Sequence, residues 1–488
     1  MNAIVHKEPA ILFRARAIID KDKGVFEMDY KALAKDYQDQ YLDDLNTLVS
    51  VESTRDVEHA QNGMPFGPNV RKALDSFLEM AKRDGFKTKD IDGYAGVVEY
   101  GDGEESVGVL GHLDIVPLGE GWTKDPLKVT VNDGYVFGRG VMDDKGPLLA
   151  GYYALKMLKD NNIPLKRKVM IIAGCDEESG MECMKYYKEH GEIPTLGFTP
   201  DADFPVIYGE KGHAHVGLHS EDDTIIRSFH GGLRPNIVIA DASAVIDAKD
   251  PKKDLFEFYL KTNGLTGDEH LEEDGLHLHI KGTEAHGAMP FNGNNAAVHL
   301  FNFIGQAYDD QLAKDFYILL KDWKGSPEGI HMIGAYMGFL TMNPGIVDLQ
   351  DGKADVMIDI RYPNDTTPEK IIAGFEKACH DLKSDIVPTL ESSDKPLFVD
   401  PDSDLVKGLM ASYRKNTGDE FTPPITIGGG TYARQFDNFV AFGPEKPNEE
   451  KTTDQFVGGC HQKDEGMKVD DLIEAMGIYA DAIENLAG

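Results

Sequence analysis

A chain of 488 residues with 50 Lys plus Arg against 84 Asp plus Glu carries a formal charge of −34. It is too long for one ordinary core, so roughly two to four compact units are expected. Hydrophobic residues at 41% and charged residues at 27% exclude global disorder, and the acidity leaves no basic footprint for nucleic acid or an anionic membrane.

The cysteines Cys175, Cys183, Cys379 and Cys460 show neither zinc-knuckle spacing nor the density of a disulfide scaffold. No apolar run approaches the roughly 18 residues of a spanning helix. Arg14 and Arg16 interrupt the apolar stretch from Pro9 to Phe13, so no signal-peptide core forms. A cytoplasmic protein is expected.

In chain order, apolar residues recur at three and four between Tyr30 and Val51, which predicts an amphipathic helix; a second helix follows Pro68 to about Arg83. The β-branched run from Ser106 to Leu110 reads as a buried strand. A helix from Pro147 to Lys159 and an apolar strand from Lys168 to Ala173 follow. This alternation predicts an α/β layer with a mixed, mostly parallel sheet flanked by helices. Past Lys211 the pattern changes. Partly alternating strands (His213 to His219, Leu276 to Ile280, Ala354 to Arg361) mix with helices starting near Asp250, Asn295 and Thr367, as in an inserted α+β region. The earlier style resumes with a helix from Leu405 to Lys415, a strand from Phe439 to Phe442 and a terminal helix from Val469 to Leu486. The expected organisation is residues 1–27 as an N-terminal extension, 28–210 and 395–488 as two parts of one domain, and 211–394 as the insertion.

Five segments place metal-type ligands at predicted strand ends, where sites of α/β sheets lie. In Gly111-His112-Leu113-Asp114, residues two apart point the same way on an extended strand, so Asp114 can orient His112. Alone, the tripeptide reads as a satisfied surface histidine. In the glycine-flanked turn Gly138 to Gly146, one carboxylate of Asp143-Asp144 can bridge two cations, or cap the following helix. In Asp176-Glu177-Glu178, adjacent glutamates point apart, so one can ligate a metal while the other holds the attacking water; a solvated acidic turn is the alternative. Thr199-Pro200-Asp201-Ala202-Asp203 and Gly458-Gly459-Cys460-His461-Gln462-Lys463-Asp464-Glu465 complete the set, with Cys460 a rival ligand. Together they offer two nitrogen and several oxygen donors, suited to a pair of divalent ions such as Zn²⁺ or Mn²⁺ sharing a carboxylate.

With Gly119-Glu120-Gly121-Trp122, Pro147, Pro205 and the run from Gly428 to Arg434, the ordered motifs resemble the M20 family of metallopeptidases, and within it the PepV-type dipeptidases of Gram-positive bacteria, from about Met28 onward. The resemblance implies a di-metal exopeptidase catalytic domain with an inserted α+β lid. Residue by residue, it implies that His112 and Asp201 bind one metal, Glu178 and His461 the other, and Asp143 both. Asp203 is a lesser alternative to Asp201, where the family often has Glu. Asp114 would orient His112, and Glu177 would be the general base on a water held between the metals. In the lid, His286 matches the histidine that polarises the scissile carbonyl, Arg361 would grip a substrate carboxylate, and Asn236 would lie near the substrate. The glycines Gly428 to Gly430 would line the substrate pocket; the Lys-Ser/Thr ending of a phosphate loop is missing.

The implied activity is hydrolysis of dipeptides with a free N-terminus and C-terminal carboxylate, with two divalent ions, Zn first and Mn or Co as alternatives. The alternatives are an amidohydrolase of N-acyl amino acids or succinyl-diaminopimelate, and a non-catalytic binding protein on the same scaffold. Family members with an enlarged lid complete the site within one chain, so a monomer is expected. Residues before Met28 match no part of the resemblance and read either as a tail or as sequence upstream of an initiator at Met28.

Overall fold

A computed structural model of the protein describes residues 17–20, 25–446 and 452–488. Most of the N-terminal extension lies outside these; within it, Ala17–Asp20 pairs antiparallel with Val25–Met28. The chain packs as two units. The first comprises the described residues up to Tyr208 with Val399–Ile425 and Thr431–Gly488; the second comprises Gly209–Phe398 and Thr426–Gly430. Thus the short segment Thr426–Gly430 belongs with the inserted unit, although its sequence neighbours on both sides do not.

In the first unit the central strands run in the order Lys87–Ile91, Ala95–Tyr100, Lys168–Gly174, Ser106–His112, Leu196–Thr199, Phe439–Ala441. Ser106–His112 is parallel to both its neighbours, and Leu196–Thr199 is parallel to Phe439–Ala441, while Lys87–Ile91 and Ala95–Tyr100 add an antiparallel edge. The run Ser106–His112 is buried along its whole length, as its β-branched, apolar composition requires of a strand covered on both faces. Helix Lys145–Asp160 covers it, and the terminal helix Val469–Ala487 packs along that helix. The helix expected over Tyr30–Val51 forms as two, Tyr30–Ala34 and Gln38–Val49, joined by a 3-10 turn at Lys35–Tyr37. That turn delivers the Tyr37 hydroxyl to Asp160 and its ring edge-on to Tyr153.

The second unit is built on an antiparallel sheet of eight strands in the order Thr266–Glu272, Gly275–Lys281, Asp241–Ile246, Ile226–Gly231, Thr341–Gln350, Lys353–Tyr362, Gly212–Ser220, Val387–Asp394. Its strands alternate: Leu276, Leu278 and Ile280 are buried, whereas His277 and His279 between them are not. This is the pattern of a sheet with one covered face. Helix Ala296–Ala307 packs on Asp241–Ile246 and Gly275–Lys281, and Phe301 stacks on Phe316 of helix Gln311–Leu320. The latter helix was not anticipated, because its apolar residues merge with those of the helix before it.

Candidate metal centre

His112 closes a central strand, and three contacts fix it. Its backbone N–H donates to Asp144 Oδ2 at 2.9 Å. Gly111 permits this, since a Cβ there would stand 2.3 Å from that same oxygen. The ring Nδ1 lies 3.0 Å from the Asp114 carbonyl oxygen and 3.4 Å from its carboxylate. With Nδ1–H donating to Asp114, Nε2 faces Asp143 Oδ1, 3.0 Å away, and Asp201 Oδ2, 3.7 Å away; protonated it donates to Asp143, and deprotonated it offers its lone pair to a cation. The nearer partner of the ring is thus the Asp114 main chain; the Asp114 carboxylate instead accepts the N–H groups of Glu177 and Glu178, each at 3.1 Å. One buried aspartate therefore orients a histidine and pins the start of the Glu177-Glu178 turn.

Asp143 sits in the turn before helix Lys145–Asp160. Glu465 organises this turn: its Oε1 accepts from Gly140 N at 2.9 Å, Met142 N at 3.0 Å and Asp143 N at 3.4 Å, while Oε2 takes a bond from buried Arg139 at 2.6 Å. Asp143 then presents Oδ1 to His112 Nε2 and Oδ2 to His461 Nε2, both at 3.0 Å. His461 Nε2 is also 3.1 Å from Glu178 Oε2. Two clusters result, His112 with Asp143 and Asp201, and Asp143 with Glu178 and His461, the donor atoms in each within 4.8 Å of one another. Asp143 is common to both. Neither Cys460 nor Asp203 belongs to either cluster.

The electrostatics are those of a cation site. Burial, with neighbouring carboxylates, pushes Glu177 up to about 8 and holds Asp201 well above the carboxylate range. Burial opposes charge on Asp143 too, but hydrogen bonds from His112 and His461 overcome it and hold its pKa low. Burial likewise opposes charge on His112, and the bonds to Asp114 and Asp143 outweigh it; His461 rises to about 10 through Asp143 and Glu178. Among the described residues, the ion pairs of Asp143, Glu178 and Asp201 run only to these two histidines. Glu178 Oε1 is buried with no hydrogen-bond partner. Imidazole nitrogens, crowded carboxylates and an orphaned buried oxygen fit two divalent ions in borderline nitrogen–oxygen coordination.

The remaining three expected residues lie in the second unit. Gly287 N donates to Asn236 O at 2.7 Å, and Ile237 bridges His286, so the segments carrying Asn236 and His286 are joined. Asn343, unmarked in the sequence reading, clamps both flanks of Asn236 through Pro235 O at 2.8 Å and Ile237 O at 3.0 Å. His286 Nδ1 accepts from Ala288 N at 3.1 Å, leaving Nε2 to carry the proton. Burial first, and the charge of Arg361 second, lower its pKa. Arg361 rests on Asp359, with Nε 2.9 and 3.0 Å from the two carboxylate oxygens, and Nη1 donates to Gly428 O at 3.1 Å and to His213 Nε2.

Residues 108–485 match peptidase family M20/M25/M40. Two relatives share the name "Putative dipeptidase". SH1171 of Staphylococcus haemolyticus is 38% identical over 474 residues, covering 94% of this chain and 99% of the relative. YtjP of Bacillus subtilis is 38% identical over 459 residues, covering 91% and 96%. Among solved structures, a tripeptidase from Staphylococcus aureus superposes with TM-score 0.55 at 16% identity, covering 92% of this chain and 98% of that one. An aminoacylhistidine dipeptidase from Vibrio alginolyticus gives TM-score 0.53 at 14% identity, covering 91% and 96%. These structural likenesses are likenesses of fold.

Proposed function

The chain belongs to peptidase family M20/M25/M40, and from that premise we propose that it is a dipeptidase acting on short peptides with a free N-terminus and a free C-terminal carboxylate. The observation that carries this reading is Asp143, whose two oxygens face the imidazoles of two separate ligand clusters beside the half-buried acid Glu177.

His112, Asp143 and Asp201 would hold one divalent ion and Asp143, Glu178 and His461 the other. Zinc suits the donor set, with manganese or cobalt as alternatives, and such ions supply Lewis acidity towards a carbonyl oxygen and towards water. Glu177 takes the proton of the attacking water and returns it to the leaving amine. Its buried position raises its proton affinity towards neutrality, as a group that must both accept and donate requires. His286, kept neutral by burial and by Arg361, offers Nε2–H to the carbonyl oxygen as negative charge develops there. Arg361, fixed through Nε by Asp359, grips the substrate carboxylate, and Asn236 is held ready by Asn343. The four free cysteines support a reducing, cytoplasmic location. A single chain carrying both the ligand clusters and a large lid-like unit supports a monomer.

The test is a substrate panel of dipeptides, including β-Ala-His and D-amino-acid dipeptides, against N-acyl amino acids, each with metal and with chelator. Chelator-sensitive turnover of at least one dipeptide is expected. Inactivity on every dipeptide, with hydrolysis of N-acyl amino acids, would move the chain to the amidohydrolase reading.

A further inference from the structure

Among the described residues, metal-type donors gather in one place besides the two clusters above: Glu272, Asp274 and His277, one donor atom of each lying within 4.8 Å of the others. They sit where the edge strand Thr266–Glu272 of the second unit's sheet turns back into Gly275–Lys281. The segment reads His270-Leu271-Glu272-Glu273-Asp274-Gly275-Leu276-His277, with a histidine on either side of an acidic turn. Glu272 pairs with Gly275 and His270 with His277, so only Glu273 and Asp274 form the turn, and the two imidazoles stand on directly opposite residues. Gly275 permits this, since its φ of +147° suits glycine and a Cβ there would stand 2.6 Å from Ile246 O. Arg227, paired with Asp247, donates through Nη1 to the Asp274 carbonyl at 2.6 Å; it fixes the main chain of the turn and leaves the Asp274 carboxylate to the imidazole.

His277 Nε2 lies 2.8 Å from Asp274 Oδ1 and 4.0 Å from Glu272 Oε2. One imidazole nitrogen facing two carboxylates is also how His461 stands to Asp143 and Glu178. The bond from His277 holds the Asp274 carboxyl below its ordinary range. His270 and Glu272, two apart on one strand, share the face on which His277 stands, and opposite residues have Cβ atoms roughly 4.5–5.5 Å apart. The exposed His270 ring rests on Asp268, with Nε2 2.9 Å from its carboxylate. An acidic turn alone would suit only a hard cation, whereas two imidazoles with two carboxylates are a donor set for zinc, nickel or copper(II). We propose that this hairpin is a third divalent-metal site of the protein, holding a borderline transition-metal ion on His277, Asp274 and Glu272, with His270 turning from Asp268 to become the fourth donor. Such an ion clips two strands at a sheet edge, where a two-residue turn is their only covalent link, and neutralises carboxylates that otherwise repel one another. Binding here is independent of the dipeptidase reading.

The experiment is a zinc titration of the full-length protein by equilibrium dialysis with metal analysis, comparing wild type with His277→Ala, His270→Ala and Asp274→Asn. His230→Ala, which removes an exposed imidazole elsewhere on the same sheet, is the control. Wild type and His230→Ala should each bind one zinc ion per chain more than His277→Ala. His270→Ala and Asp274→Asn should each weaken that additional site by about tenfold or more, at least the factor that losing an outer partner costs a metal site. Zinc should also slow hydrogen exchange of the amides from Thr266 to Lys281 in wild type and leave them unchanged in His277→Ala. Equal zinc stoichiometry in wild type and His277→Ala, or an equal loss in His230→Ala, would overturn the proposal. If His277→Ala does not fold by circular dichroism, the double variant Glu272→Gln, Asp274→Asn carries the same comparison. If the peptidase centre takes up no zinc, the total falls in every protein alike, and the difference of one ion between wild type and His277→Ala still decides the hairpin site.

Discussion

Glu177 and Glu178 are adjacent in sequence, and Asp114 accepts both of their N–H groups, so the two proposed roles of base and ligand fall on one pinned turn. Glu178 faces His461, and Glu177 remains as a half-buried acid close to His112, Glu178 and Asp143. Glu177→Gln is therefore expected to cut kcat by a factor on the order of 10³ or more while two metal ions per chain remain bound, read by turnover and by metal analysis of the same sample. Near wild-type kcat would remove Glu177 from the role of base. Asp114→Ala, which takes away a positioning carboxylate but no proposed ligand, should weaken metal affinity roughly 10- to 100-fold in a chelator titration. A different residue tests the second unit. Glu328 is 3% exposed, both its carboxylate oxygens are buried without hydrogen-bond partners, and burial, with the charge of Asp322 adding, pushes its pKa from 4.5 to about 8. Between those values the folded state binds the proton that the unfolded state has lost, so this residue's contribution to stability falls as pH rises from about 4.5 to about 8 and is flat above. Glu328→Gln should remove that slope and stabilise the protein at pH 8 by on the order of 1–3 kcal/mol, measured by urea unfolding at pH 5 and pH 8. An unchanged slope would mean that Glu328 is not the titrating group.

The turn from Gly138 to Asp144 is an element with little regular structure of its own, and its geometry comes from Glu465, which accepts three of its N–H groups and pairs with buried Arg139. Glu465→Ala would leave Arg139 buried without its anion, at a cost of about 3–5 kcal/mol, and would release Asp143 from its position between the two imidazoles. A drop in thermal midpoint together with loss of metal is the expected outcome; loss of neither would show the turn to be self-supporting. This is also where legibility in the sequence stopped. The strand Ser106–His112, the helix Lys145–Asp160 and the terminal helix Val469–Ala487 were readable from apolar runs and period, and the two ligand clusters gather the residues that the motifs singled out. Glu465 stood in plain view four residues after His461, but its partners are more than 320 residues away, and no local pattern announces such a bond. Asn343 was hidden for the same reason, being 106 and 108 residues from the carbonyls it clamps. The 3-10 break at Lys35–Tyr37 was missed because a periodic apolar stripe persists through a tightened turn.

At the scale of the whole molecule, the insertion begins at Gly209, within the short strand Ile207–Glu210, and the chain returns to the first unit at Val399. If all functional groups act within one chain, mixing a Glu177→Gln protein with a His286→Ala protein should recover no activity above the sum of the two. Recovery towards a quarter or half of wild-type turnover would instead mean that sites are shared between copies. Among the described residues no helix is long and apolar enough to cross a membrane, and most of the 84 acids are surface charge rather than site chemistry.

The order in which the ligands occur along the chain has a consequence for synthesis. His112, Asp143, Glu178 and Asp201 emerge from the ribosome early, whereas His461, Glu465 and the strand Gly466–Lys468 that pairs with Tyr135–Phe137 emerge 260 residues or more after Asp201. A nascent chain therefore carries four of the proposed ligands long before it can complete either the second cluster or the turn that aims Asp143. The segment from His461 to Lys468 is thus the closing piece of the proposed centre, and a nascent chain that has not yet reached His461 lacks one proposed ligand of the second cluster and the acid that organises the turn before helix Lys145–Asp160.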